Sequence, residues 1–148
     1  MIREFADRLV RHISFLEAEL EDYIKFKKLT RPEYLKERDK RRNVERWIEN
    51  IINSTVDISR VILNIEGIPI PDTYRRVVAM VSTVEGLEGA NAEKLSKWVR
   101  FRNVVAHEYL DIKWSSITKF INESERPYKN FIPVVKKYLE NRLDKEEL

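Results

Sequence analysis

Apolar residues recur every three or four positions along nearly the whole chain, and that spacing leaves little room for anything but helices. The first stripe runs Ile2, Phe5, Leu9, Ile13, Leu16, Leu20, Tyr23 and Ile24, one face of a helix laid on a core. Thr30 and Pro32 then punctuate the chain. A threonine caps a helix well, and a proline fits its first turn. The longest stripe follows: Val44, Trp47, Ile48, Ile51, Ile52, Thr55, Ile58, Val61, Ile62 and Ile65, stopped by Gly67, Pro69 and Pro71. Asp72 or Thr73 opens a third helix with Tyr74, Val77, Val78, Val81 and Val84, closed by Gly86 and Gly89. Asn91 stands where it can cap a fourth, which carries Leu95, Trp98, Val99, Val105 and Ala106. Trp114, Ile117, Phe120 and Ile121 form a fifth region leading to Pro127, and Phe131, Val134, Val135, Tyr138 and Leu139 mark the last helix. Only three glycines occur, which disfavours a β-rich fold with many tight turns. The expectation is an all-α fold, an antiparallel helical bundle of four main helices plus one or two short helices.

The 148 residues fit one domain, 1–148, ending in a polar, frayed tail at about 144–148. No internal repeat or low-complexity linker divides them. A chain of this size folds without disulfides or metals. There is no cysteine, which excludes thiol catalysis, disulfides and Cys-based zinc sites. His12 and His107 are the two histidines, so a His-based metal site within one chain is not expected, nor is a cofactor. His12 reads as a surface or boundary residue. The first residues, MIREFADRLVRHISF, carry charge throughout and lack the apolar stretch of a signal peptide. No apolar run approaches the ~20 residues that span a bilayer, so no membrane partner is expected and a cytoplasmic location is. Charged residues make up 36% of the chain for a net charge of +3, a balance that suits a thermophile's protein and permits a nucleic-acid partner.

The segment RNVVAHEY, residues 102–109, concentrates reactive side chains on the fourth helix. At ~100° per residue, Asn103 and His107 share one face, and Arg102, Ala106 and Tyr109 form the neighbouring row. An imidazole moves protons near neutral pH. A guanidinium pairs with phosphate oxygens and stabilises charge that builds on them. RNA brings its own nucleophile, the 2′-hydroxyl, so such a set needs no metal and leaves a cyclic phosphate and a free 5′-hydroxyl. The reaction wants both a base and an acid, and a two-fold dimer pairing this helix with its copy supplies the second histidine. A plainer reading stands beside it: His107 capping the helix C-terminus, Arg102 paired with a surface carboxylate, Tyr109 packed in the core.

RNVVAHEY resembles the RNxxxHxY motif of HEPN-domain proteins, specifically the HepT-like ribonuclease toxins of toxin–antitoxin pairs. VERWIENIINSTVDISRVIL in the second helix and GIPIPDTYRRVV after it extend the resemblance over most of the chain. The resemblance implies a metal-independent endoribonuclease acting as a homodimer, with Arg102 and His107 catalytic and Asn103 orienting or assisting. It also implies a minimal nucleotidyltransferase (MNT) antitoxin as partner, able to transfer AMP to Tyr109. Phosphate charge and bulk beside Arg102 would block RNA. The alternative is a non-catalytic helical binding partner of a nucleotidyltransferase, or a purely structural subunit.

Two basic groups are candidates for holding the RNA backbone. Lys97 and Arg100 lie just ahead of His107 and are the better placed. Lys40, Arg41 and Arg42, with Lys36, Arg38 and Arg46 around them, are interleaved with Glu37, Asp39 and Glu45, which favours a salt-bridged, solvated helix face. Arg75 and Arg76 carry the same ambiguity. Trp47, Trp98 and Trp114 are expected in core or dimer packing.

Overall fold

The computed structural model describes residues 2–147, and among these no strand occurs. The helices are α1 (Ile2–Leu20), α2 (Tyr23–Lys27), α3 (Arg31–Lys36), α4 (Arg38–Ile65), α5 (Tyr74–Met80), α6 (Ala92–Trp98), α7 (Phe101–His107) and α8 (Leu110–Glu147). Short 3₁₀ turns at Val81–Thr83 and Glu88–Ala90 link α5 to α6. The result is the expected all-α helical bundle, built from three long helices and a set of short ones.

The centre is α4. In its second half Ser54, Thr55, Val56, Ile58, Ser59, Val61, Ile62 and Leu63 are all buried, so it has neighbours nearly all round. The buried hydroxyls cost little because each is satisfied within the helix: Thr55 donates to the Ile51 carbonyl and Ser59 to that of Thr55, both at 2.8 Å. Gly67, at φ +68°, ends α4 as the pattern predicts. The Gly67 amide donates to the Asn64 carbonyl and the Ile68 amide to that of Leu63, which closes a Schellman turn.

Against α4 lies α1, through Leu9, Ile13, Leu16 and Leu20. The Trp47 indole donates to the Glu19 carbonyl at 2.7 Å and fixes the end of α1. The stripe does not continue as one helix: the chain turns at Glu21–Asp22, and Ile24, expected in the core, is 66% exposed while Tyr23 and Phe26 point inward. Thr30 caps α3 in a reciprocal box with Glu33, and Pro32 sits in its first turn.

Two differences shape the rest. The fifth region and last helix are one 38-residue helix, α8, which runs through both Pro127 and Pro133. Each proline in a helix interior costs about 3 kcal/mol. Continuing in one register buries Ile117, Phe120, Ile121, Tyr128, Phe131, Val135 and Tyr138. At roughly 1.5–3 kcal/mol per large apolar side chain, that burial outweighs both prolines. The carbonyls they leave free belong to Glu123 and Lys129, which are exposed to water. Residues 144–147 of the expected tail continue this helix, and Leu148 lies outside the described residues.

The fourth helix, conversely, is two. Between α6 and α7 the amides of Val99, Arg102 and Asn103 donate to carbonyls three residues back (3.3, 3.2 and 3.0 Å), so the chain tightens there and the α-helix is interrupted. Backbone angles at Val99 and Arg100 stay right-handed helical, and no glycine or proline marks the place. Asn91 does occupy the position before α6, but in the left-handed conformation, φ 59°, and its side chain makes no capping hydrogen bond.

Candidate active site

The short helix α7 is held from below by aromatic side chains. Phe101, its first residue, packs on Trp98 and Phe120, with ring centroids 5.0 and 6.0 Å apart. Phe120 also meets Trp98 and Trp47 edge-on, at 5.6 and 5.9 Å. One ring on α8 thus ties α4, α6 and α7 together. Val105, one turn after Phe101, is buried on the same side. Helical geometry then turns Asn103, Ala106 and His107 outward, and all three are exposed.

Arg102 is half-buried, and its guanidinium carbon lies 4.7 Å from the ring centroid of Tyr74 on α5. The guanidinium carbon of Arg60, on α4, lies 4.9 Å from the same centroid. The guanidinium of Arg60 and then that of Arg102, both beside the phenol, hold it below the usual tyrosine range. Neither Arg60 nor Tyr74 was picked out by sequence reasoning. The only hint was an arginine embedded in the apolar run of α4, between Ser59 and Val61. Among the described residues no carboxylate comes within salt-bridge distance of Arg102, so the surface-pair reading of that residue does not hold.

Helix α7 stops at His107 because Glu108 is extended, with ψ 161°. His107 therefore sits in the last turn, where a cation is favoured whatever else it does. Tyr109 is off the helix, in the link to α8, so it does not extend the Arg102–Ala106 row as expected. At 85% exposure it is no core residue. The link is pinned just beyond it: Asp111 accepts from Arg31 of α3 at 2.9 Å, and Lys113 lies 3.8 Å from Glu45 of α4.

Lys97 and Arg100 are brought together with Lys94 and Lys119 in a groove of about 440 Å³ beside the start of α7, opposed there by one acid, Glu123. In the other basic group two of the three side chains are engaged. Lys40 pairs with Glu33 and, at 3.5 Å, with Glu37. Arg41 donates to the carbonyls of Tyr34 and Leu35 at 3.2 and 3.1 Å. Arg42 is exposed. Among the described residues no group of three or more His, Asp and Glu side chains is placed to hold a metal ion, and no helix is long and apolar enough to cross a membrane.

The sequence pattern of the family described as "Ribonuclease HepT-like" matches residues 16–135, which take in α4, α5, the whole RNVVAHEY segment and most of α8. The chain belongs to the HepT-like family. No curated protein and no solved structure matches it. Ribonuclease activity is thereby supported for this HepT-like chain at the level of its family, and the matched span contains every residue of the site described above.

Proposed function

We propose that this HepT-like chain, read as one HEPN-like unit over 1–148, is a metal-independent endoribonuclease toxin that works as a homodimer. The observation that carries the reading is the outward strip of α7, with Asn103 and His107 exposed beside an Arg102 that has no carboxylate within salt-bridge distance among the described residues. Arg102 binds the non-bridging oxygens of the scissile phosphate and stabilises the charge that grows there. The 2′-hydroxyl oxygen attacks phosphorus as His107 takes its proton. The P–O5′ bond breaks, and the 5′-oxygen receives a proton from His107 of the second copy. The products are a 2′,3′-cyclic phosphate and a 5′-hydroxyl. Asn103, one helical turn before His107, orients the substrate or the ring. Lys97 and Arg100 hold the backbone alongside, with a lesser contribution from Lys40, Arg41 and Arg42.

A minimal nucleotidyltransferase antitoxin is the proposed partner. The Tyr109 phenol oxygen gives up its proton to solvent and attacks the α-phosphorus of ATP held by that partner, pyrophosphate leaves, and the protein carries AMP on the link that follows α7. The exposure of Tyr109 supports this, since a modifying enzyme must reach the hydroxyl.

The decisive experiment is digestion of total RNA by purified protein with EDTA present, beside Arg102→Ala and His107→Ala. Fragments with cyclic-phosphate ends from the parent alone are expected. Equal cleavage by all three would remove both residues from the mechanism. No cleavage by AMP-free parent would leave the binding-partner reading in its place.

A further inference from the structure

Three elements deliver one side chain each to the same exposed spot: Arg60 from α4, Tyr74 from α5 and Arg102 from α7. The ring is 42% exposed, so it is not there to fill the core. Arg60 stands between the buried Ser59 and Val61, and its half-exposed side chain leaves the packed part of α4 only on this line. Two guanidinium groups on one ring repel each other. The repulsion is tolerated where each gains from the negative face of the ring. The nearest acid is Asp57, 3.9 Å from Arg60 and equally open to water, which offsets little of the charge. What remains is a pair of oriented cations with Asp57 the one carboxylate within salt-bridge distance among the described residues.

We propose that Arg60 and Arg102, held by the ring of Tyr74, form a two-guanidinium clamp for a phosphodiester of bound RNA. Guanidinium forks match phosphate oxygens in pairs, and stacking on a ring fixes their planes before the ligand arrives. Arg60 is thus a substrate-binding residue outside the RNVVAHEY segment, and Tyr74 is a positioning residue for both arginines. The depressed phenol reports the same positive field. The clamp rests on the ribonuclease reading for the identity of its ligand, and its test separates the two.

The probe is a single-stranded 2′-O-methyl RNA oligonucleotide, which cannot be cleaved because its nucleophile is blocked. Its affinity is measured across a salt series for the parent, Arg60→Ala, Arg60→Lys, Asp57→Asn, Tyr74→Phe and Tyr74→Ala. Arg60→Ala is expected to weaken binding roughly tenfold or more and to flatten the log–log salt slope by about 0.7, one phosphate contact on a single strand. Arg60→Lys keeps the slope and loses part of the affinity. Asp57→Asn tightens binding, and Tyr74→Ala weakens it more than Tyr74→Phe. An Arg60→Ala protein with the parent's affinity and slope overturns the clamp. If that happens while the parent still cleaves RNA in EDTA, the nuclease reading survives alone. If the parent is inert in that assay but loses its slope with Arg60, the clamp stands and the nuclease reading falls.

Discussion

Trp98 meets Phe120 edge-on, 5.6 Å between ring centroids, and this contact sets where α7 begins. Trp98 ends α6, Phe101 starts α7, and both lean on the same ring of α8. The direction of the reactive strip is therefore decided by one buried aromatic far from solvent. Phe120→Ala is expected to cost about 3–5 kcal/mol, as large-to-small changes in a packed aromatic core do, and to lower Tm by roughly 10 °C or more. Phe120→Leu should cost less than half as much. Thermal unfolding of the two variants checks the order. A parent-like Tm for Phe120→Ala would mean that α7 is anchored elsewhere.

Much of this fold is readable from spacing. The stripe of α4 and its stop at Gly67 follow directly from sequence, as do the cap at Thr30 and the helical character of RNVVAHEY up to His107; the partnership of Thr30 with Glu33 comes from the structure. What spacing misses is decided in three dimensions. Pro127 looks like a helix end because the local cost is visible and the opposing burial along α8 is not. The tightening at Val99–Arg100 carries no glycine or proline, so nothing marked it. The end of α7 at His107 leaves Tyr109 off the helix face that spacing alone gives it. The meeting of Arg60, Tyr74 and Arg102 joins residues from three helices, and no local pattern announces it.

The cap of α3 gives a pH dependence with a definite sign. Glu33 receives hydrogen bonds from Lys40 and from the amide and hydroxyl of Thr30, which hold its carboxyl down to about 2 from the usual glutamate value. A folded-state pKa below the unfolded one means stability that is complete above the ordinary glutamate range. It is lost as pH falls toward 2. Lys40 is raised, chiefly by the same carboxylate, so its share is lost only as pH climbs through its raised value. Glu33→Gln should therefore lower Tm at pH 7, and the difference from the parent should shrink steadily between pH 4.5 and pH 2. Paired melting curves across that window decide it, since a difference independent of pH would assign the loss to packing instead of charge.

Apolar surface gathers at the start of α8, next to the reactive strip. Leu110 is 37% exposed and Ile112 50%, directly after the open Tyr109. This is the face we assign to the second copy, since the chemistry needs an acid and a base and each chain has one histidine on α7. The double substitution Leu110→Asp with Ile112→Asp is expected to give a monomer by light scattering, with unchanged helical circular dichroism and no RNA cleavage. A monomer that still cleaves would show that one chain completes the reaction.

Tyr109 supplies the last test, because its exposure separates two roles that share one side chain. As an acceptor of AMP it needs only its hydroxyl and access, and both are present. Once modified, it would carry a phosphodiester anion and a nucleotide's bulk on the link that directly follows α7, where both oppose the approach of RNA. The expected outcome is that an MNT-type nucleotidyltransferase with ATP adds one AMP mass to the parent and stops cleavage, whereas Tyr109→Phe gains no mass and its cleavage is insensitive to the same treatment. Intact-mass spectrometry read alongside the RNA digestion distinguishes the cases. AMP found on Tyr109→Phe would move the acceptor to another hydroxyl, and inhibition without added mass would make the nucleotidyltransferase a simple blocking partner.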